Sequence, residues 1–208
     1  MTTLYLIRHS QPMKDFKGNY NSYENGQLQN EKDILTPDGE IFALELSKKE
    51  ELQHIDVLYS SNYVRAMSTA KYIAYNNKTN LNVDERLGER KFGVDVKDLP
   101  QDYFMHQWVD LDYTELNGES INDTNKRISE VINEIINNNK DKTICIVSHA
   151  TAISSFLLNY FELKINGEEL HWYLNNEEVF DGNFKAPHLF KLVFDDNNNL
   201  IEFKNIGR

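Results

Sequence analysis

Two histidines and two arginines stand where the apolar runs of this sequence stop. Leu4-Tyr5-Leu6-Ile7 meets Arg8-His9, Thr143-Ile144-Cys145-Ile146-Val147 meets Ser148-His149, and Asp56-Val57-Leu58-Tyr59 meets Ser60-Ser61 with Arg65 just beyond. Such a set suits an anion. The planar guanidinium fork pairs two oxygens of a phosphoryl group, and a helix starting near Ser61 would add N–H donors and the positive end of its dipole. A neutral imidazole can also attack phosphorus and hold the phosphoryl group covalently, which splits a hard displacement into two easier steps. A carboxyl group must then protonate the leaving oxygen and later activate water. Taken singly, each residue has a plainer explanation. A strand-end histidine is commonly a satisfied structural residue, and an arginine in a chain with 33 acids is commonly a surface ion-pair partner.

The elements that must bring these residues together are legible in outline. Short, continuously apolar runs at 4–7 and 143–147 read as strands buried on both faces. Thr36-Pro37 reads as N-cap and first helical position of a helix through Ile41, Leu44 and Leu52, and Ser61 as the cap of a helix from about Tyr63 to Tyr75. Residues 81–118 look irregular and are expected to form an insertion over the sheet edge. Ser120-Ile121-Asn122-Asp123 fits a capping box for a long amphipathic helix that ends in Asn137-Asn138-Asn139. The Asn clusters at 137–139 and 197–199 read as turn punctuation. A last helix carries Ile153, Phe156, Leu157 and Tyr160, and the tail, 189–194 and 200–203, reads as a hairpin. Alternation of strands and helices predicts an α/β three-layer sandwich with a mostly parallel central sheet. Such sheets bind ligands beyond the carboxyl ends of their strands, where Arg8-His9, Ser60-Ser61 and Ser148-His149 fall.

The 208 residues suit a single domain over 1–208, with a lid-like insertion at about 94–118. Subtracting 33 acids from 22 Lys and Arg gives a net charge of −11, so neither nucleic acid nor a membrane is expected as a partner. The lone cysteine, Cys145, reads as a small buried apolar residue and forms no intramolecular disulfide. Without a long apolar segment, the chain is expected to be cytoplasmic, as a monomer or homodimer.

Five ordered segments give the reading its specificity: Leu6-Ile7-Arg8-His9-Ser10, Leu35-Thr36-Pro37-Asp38-Gly39, Tyr59 through Ala70, Leu87-Gly88-Glu89-Arg90-Lys91-Phe92-Gly93, and Gly118-Glu119-Ser120, before a final Val147-Ser148-His149. The set resembles the histidine phosphatase superfamily, in its phosphoglycerate-mutase-like branch, over nearly the whole chain. The resemblance implies that His9 is the phosphorylated nucleophile, that Arg8, Arg65 and His149 clamp the phosphoryl oxygens, and that Glu89 is the acid and base. It implies no cofactor and no metal. A substrate pocket would include Ser10, Asp15, Glu119, Ser120 and Ala150. Three of these depart from the family pattern: Ser10 and Ala150 stand where glycine is usual, and Asp15 where the mutases place asparagine. Asp15 would repel a second phosphate group, which favours a phosphatase over a cofactor-dependent phosphoglycerate mutase. A catalytically silent phospho-ligand module is the other alternative.

The expected partner is a small phosphorylated substrate, with its leaving group read by residues 11–34 and 94–118. Tyr103, Phe104, Trp108 and Tyr113 fit either a lid's own core or a substrate wall, and His106 a place in the leaving-group pocket. His54, His171 and His188 carry no functional pattern, and Glu85, four residues before Glu89, is an equally ordinary solvated acid.

Overall fold

Alternate side chains of Leu4-Tyr5-Leu6-Ile7 enter different apolar layers, as a pleated strand requires. In the computed structural model, which describes residues 1–13, 26–95 and 98–208, Leu4 and Leu6 join Ile144 and Ile146 in one core, while Tyr5 and Ile7 join Cys145 and Val147 in the other. A strand buried on both faces can therefore be apolar throughout, which is why these runs lack polar alternation.

Strands β1 (Thr2–Arg8), β2 (Val57–Ser60), β3 (Leu81–Val83) and β4 (Thr143–Ser148) pair in parallel in the order β3-β2-β4-β1. The antiparallel hairpin β8 (His188–Phe194) and β9 (Leu200–Gly207) completes the six-stranded sheet beside β1. Helices α2 (Pro37–Leu46) and α3 (Val64–Asn77) cover one face, and α5 (Ile121–Asn138) and α6 (Ala150–Leu157) the other, so the sandwich has three layers with a mostly parallel sheet. Ile121, Ile128, Val131, Ile132, Ile135 and Ile136 of α5 are buried, each fully buried side chain contributing on the order of 2 kcal/mol.

Two expected caps are present. The Thr36 hydroxyl accepts from Gly39 N with Pro37 opening α2, and Ser120 and Asp123 form the reciprocal capping box of α5. Ser61 does not cap α3: the N-cap is Tyr63, and Ser61 Oγ instead lies 2.8 Å from His149 Nε2. The helix expected to reach Leu52 ends at Leu46, and a separate turn of 3₁₀ helix spans Glu50–Leu52. The irregular stretch 81–118 holds the edge strand β3 and the short helix α4 (Tyr103–Val109). Helix α5 ends in the Asn cluster as expected, but Asn139 is not left-handed; Asp141 takes that conformation.

A second sheet, absent from the sequence expectation, comprises β5 (Glu162–Asn166), β6 (Glu169–Leu174) and β7 (Glu177–Phe180), all antiparallel. Its strands are mostly exposed and charged, and only Trp172 and Phe180 are buried, against Phe190 and Trp108. Asn175 and Asn176, both at positive φ, form the β6–β7 turn. Among the described residues no helix is long and apolar enough to cross a membrane.

Candidate active site

The carboxyl ends of β1, β2 and β4 lie side by side, with Arg8 in register with Ser148 and Ser60 with Val147. His9 N continues the ladder to Ser148 O at 3.0 Å, and Ser61 N to Val147 O at 3.1 Å. The strand ends thereby bring His9 and His149 together, with ring centroids 5.0 Å apart. Both rings are buried.

Their tautomers follow from their partners. His9 Nδ1 lies 2.6 Å from the Ser10 carbonyl, which can only accept, so Nδ1 carries the proton. That leaves a lone pair on Nε2, facing the Arg65 Nε–H at 2.9 Å. Arg65 Nη2 approaches His149 Nδ1 at 3.3 Å, which makes Nδ1 the acceptor and Nε2–H the donor to Ser61 Oγ. Arg65, 0% exposed, thus bridges both imidazoles, and its Nη1 donates to the Asn30 carbonyl of α1 (Gly26–Lys32). Burial pulls its pKa down, while the negative charges of Glu89 and Asp33 push it back up.

Arg8 sits at the same edge, Nη1 donating to the carbonyls of Phe184 at 3.0 Å and Lys185 at 3.2 Å. Burial lowers its pKa and Glu89 opposes the shift, which puts that carboxylate within electrostatic reach of both arginines. Glu89 follows a 3₁₀ turn (Glu85–Leu87), whose Leu87 carbonyl accepts from Ser148 Oγ at 2.8 Å. Its carboxylate accepts from Thr151 N at 3.2 Å, Ala152 N at 3.0 Å and Arg90 N at 2.9 Å. Glu89 therefore sits on the first turn of α6, which begins immediately after His149, where the helix dipole favours a negative charge.

Several residues expected in a substrate pocket have polar atoms engaged by other parts of the fold. Ser10 is buried, its hydroxyl donating to Gly39 O at 2.7 Å and its N–H to Thr69 Oγ1 at 2.9 Å, so it ties β1 to α2 and α3. Ala150 opens α6. Ser120 is spent on its helix cap. Asp15 lies outside the described residues.

Glu119 forms a two-pronged ion pair with Arg127, Nε to Oε1 at 2.6 Å and Nη2 to Oε2 at 2.7 Å. Arg127 Nη1 also donates to the carbonyls of Arg86 and Gly88, and Glu119 Oε2 accepts from Lys91 N. The pair staples both ends of the loop that carries Glu89. Close backbone approach tightens the same region: a side-chain carbon at Gly93 (φ +80) would fall 2.2 Å from Gly118 N. Arg127 is thus a positioning residue for Glu89. If Glu89 is the acid and base that the resemblance implies, Arg127→Met is expected to lower kcat about 10- to 100-fold with KM nearly unchanged, and to reduce Tm, since small displacements of a reacting group are costly. Arg127→Lys should recover stability better than rate, because a single ammonium cannot hold the carboxylate and two carbonyls at once. Steady-state kinetics beside thermal unfolding would check both.

Sequence reasoning passed over Tyr63, which lies in a quoted motif. Its ring packs 4.5 Å from that of His149 and beneath Arg65, and its hydroxyl accepts from Gln27 Nε2 at 2.7 Å. Burial pushes its pKa up to about 12, so it acts as a neutral wall. The aromatic residues of 94–118 pack largely on one another: Tyr103 meets Phe104, Tyr113 and Phe92, and His106 stacks on Tyr113. His188 is buried among Phe180, Phe184 and Phe190; burial lowers its pKa, and Nδ1 accepts from Lys185 N. Among the described residues no cluster of three or more His, Cys, Asp or Glu is placed to hold a metal ion.

Comparison with known proteins places the chain in a family and a fold. The family model described as the histidine phosphatase superfamily (branch 1) matches residues 4–179. A protein of Hydrogenobacter thermophilus provisionally named phosphoserine phosphatase 2 is 39% identical over 93 residues, 45% of this chain and 42% of its own length. The aligned segment thus spans less than half of that relative. A variant of a phosphoserine phosphatase from Entamoeba histolytica, solved with phosphoserine, superposes with a TM-score of 0.66 at 21% identity, covering 98% of this chain and 97% of that one. The mycobacterial glucosyl-3-phosphoglycerate phosphatase solved with VO3 gives 0.72 at 17% identity, covering 99% and 98%. At these identities the likeness concerns the fold.

Proposed function

The chain belongs to branch 1 of the histidine phosphatase superfamily, and from that premise we propose that it hydrolyses phosphomonoesters through a phosphohistidine at His9, without a metal ion. The observation that carries the reading is the His9 tautomer: Nδ1–H is fixed on the Ser10 carbonyl and the Nε2 lone pair faces Arg65. In the first step Nε2 bonds to phosphorus while the bond to the ester oxygen breaks, and Glu89, which enters the step as the carboxylic acid because the incoming phosphoryl charge opposes its ionisation, gives the departing alkoxide that proton. Water then attacks the phosphoryl group, Glu89 takes a proton back, and the P–N bond returns its electron pair to Nε2. Arg65 and Arg8 supply donors to the equatorial oxygens, on which charge is spread in such transition states; His149, whose single N–H is held on Ser61 Oγ, joins them only when protonated at Nδ1, once Arg65 has turned to the anion. Arg65 trades its contacts with His9, His149 and Asn30 for the phosphoryl oxygens, so the anion replaces neutral acceptors.

Residues 94–118 act in this reading as the cover that meets the leaving group. The names of similar proteins make phosphoserine and phosphorylated glycerate derivatives the first substrates to try. Turnover of 4-nitrophenyl phosphate should be the same with and without EDTA, and rapid alkaline quenching with labelled ester should leave acid-labile label on the chain. Loss of activity in EDTA, or a chain that never carries label, would overturn the mechanism.

A further inference from the structure

His188 opens β8 directly opposite Arg8 in the antiparallel ladder, so the two side chains lie on the same face of the sheet. Its ring is buried among Phe180, Phe184 and Phe190, and burial lowers its pKa, which keeps it uncharged at neutral pH. Of the charged groups nearby, Arg8 and Lys185 reinforce the neutral form and Asp181 opposes it. The partners fix the tautomer. Lys185 N–H meets Nδ1 at 3.1 Å, so Nδ1 is the bare acceptor, and Nε2 carries the proton toward Asn205 Oδ1 at 2.8 Å.

What the Nδ1 bond holds matters to the anion site. Among the described residues, Arg8 donates to the protein through Nη1 alone, to the carbonyls of Phe184 and Lys185, and its buried Nε has no hydrogen-bond partner. Both carbonyls belong to the β7–β8 connection, residues 181–187, where no helix or strand fixes the backbone. The bonds of Phe184 N to Gly182 O and of Asn183 N to Asp181 Oδ1 close that segment only on itself. The Phe184 carbonyl and the Lys185 N–H, however, are opposite edges of one planar trans peptide. Fixing one edge therefore aims the other. A residue needed only to fill the space among three phenylalanines could be apolar, but an apolar side chain would leave Lys185 N unmet and this plane free to turn.

We propose that His188 is a positioning residue for Arg8: by holding the Lys185 edge of this peptide it turns the Phe184 carbonyl onto Nη1 and so sets the direction in which the guanidinium meets an anion. Asn205 steadies the ring from the far side, which ties the last strand of the sheet to the same arrangement. The assignment rests on the reading of Arg8 as an anion clamp. It does not depend on which ester is cleaved.

Calorimetric titration with sulfate, at neutral pH and constant ionic strength, reads the anion site without turnover. Two replacements separate the ring's nitrogens: His188→Gln can reach Asn205 but presents no acceptor where Nδ1 stands, whereas His188→Asn keeps that acceptor and gives up Asn205. His188→Gln should weaken sulfate binding ~3- to 10-fold, the worth of one ordinary hydrogen bond, and His188→Asn should stay within about twofold of wild type. Arg8→Ala should weaken it about 10-fold or more. In the Arg8→Ala background the glutamine should have almost no further effect, since residues that act through one another are not additive. A glutamine variant with wild-type affinity, an asparagine variant as weak as the glutamine one, or an equal loss in the Arg8→Ala background would each overturn the proposal and leave Arg8 a clamp. An Arg8→Ala protein that binds sulfate like wild type would sink the clamp and the proposal together. Should His188→Gln not fold, His188→Leu, matched to the surrounding rings, carries the comparison: the same loss supports the assignment, and unchanged affinity refutes it. A chain that hydrolyses no ester yet gives this pattern would sink the hydrolase reading and leave the role of His188 standing.

Discussion

His9→Ala should lower kcat for any phosphomonoester by roughly 10⁴-fold or more, because the attacking atom itself is removed and no second imidazole can take its place. His149 lies nearby, but its Nδ1 accepts from Arg65 and its Nε2 meets Ser61, so both nitrogens are engaged in holding the clamp. The fold should survive. Truncation leaves the Ser10 carbonyl and Arg65 Nε without their histidine partner, a cost of about 1–3 kcal/mol in a site that water can partly refill. Unchanged circular dichroism, a modest drop in Tm and the absence of acid-labile label would together establish the role. A variant retaining a tenth of the wild-type kcat would end the proposed mechanism.

Arg65→Ala carries the second-largest expected effect, a fall in kcat/KM of about 10²- to 10³-fold. Its guanidinium is buried and touches His9, His149 and the α1 backbone at once, so it aligns the nucleophile as well as meeting the anion. Arg65→Lys should recover little: an ammonium is a point donor and cannot serve three directions in one plane. Michaelis kinetics on the alanine and lysine variants, normalised to the folded fraction, would decide it. Near-wild-type kcat/KM in the lysine protein would mean that charge alone suffices and that the planar bridge is incidental.

Much of this arrangement was legible in the sequence because its physics is local. Strands buried on both faces announce themselves as unbroken apolar runs, and the polar residue that ends each run marks where a ligand can meet the sheet. Thr36-Pro37 and Ser120 through Asp123 were readable for the same reason, since a cap satisfies amides within three residues. Other features depended on distant partners. Ser61 has the composition of a cap, but His149, 88 positions away, engages its hydroxyl. Ser10 and Glu119 looked like pocket residues through their motifs, whereas Gly39 and Arg127 claim their polar atoms. The small sheet from Glu162 to Phe180 was hidden because its strands are charged and largely exposed, leaving Trp172 and Phe180 as its only buried anchors. His188 lies outside every motif, and only its hold on Lys185 N, beside the carbonyls that anchor Arg8, sets it apart.

The seat of Glu89 on the opening amides of α6 bears on how inactive variants should be interpreted. Shortening this carboxylate to alanine would remove a proton carrier and also uncap the helix that delivers His149, so one lesion would disturb two partners in the chemistry. Glutamine is the discriminating replacement: its amide oxygen can still receive the Thr151 or Ala152 N–H, while its nitrogen cannot relay a proton. The contrast between the two replacements would apportion the damage between scaffold and proton relay.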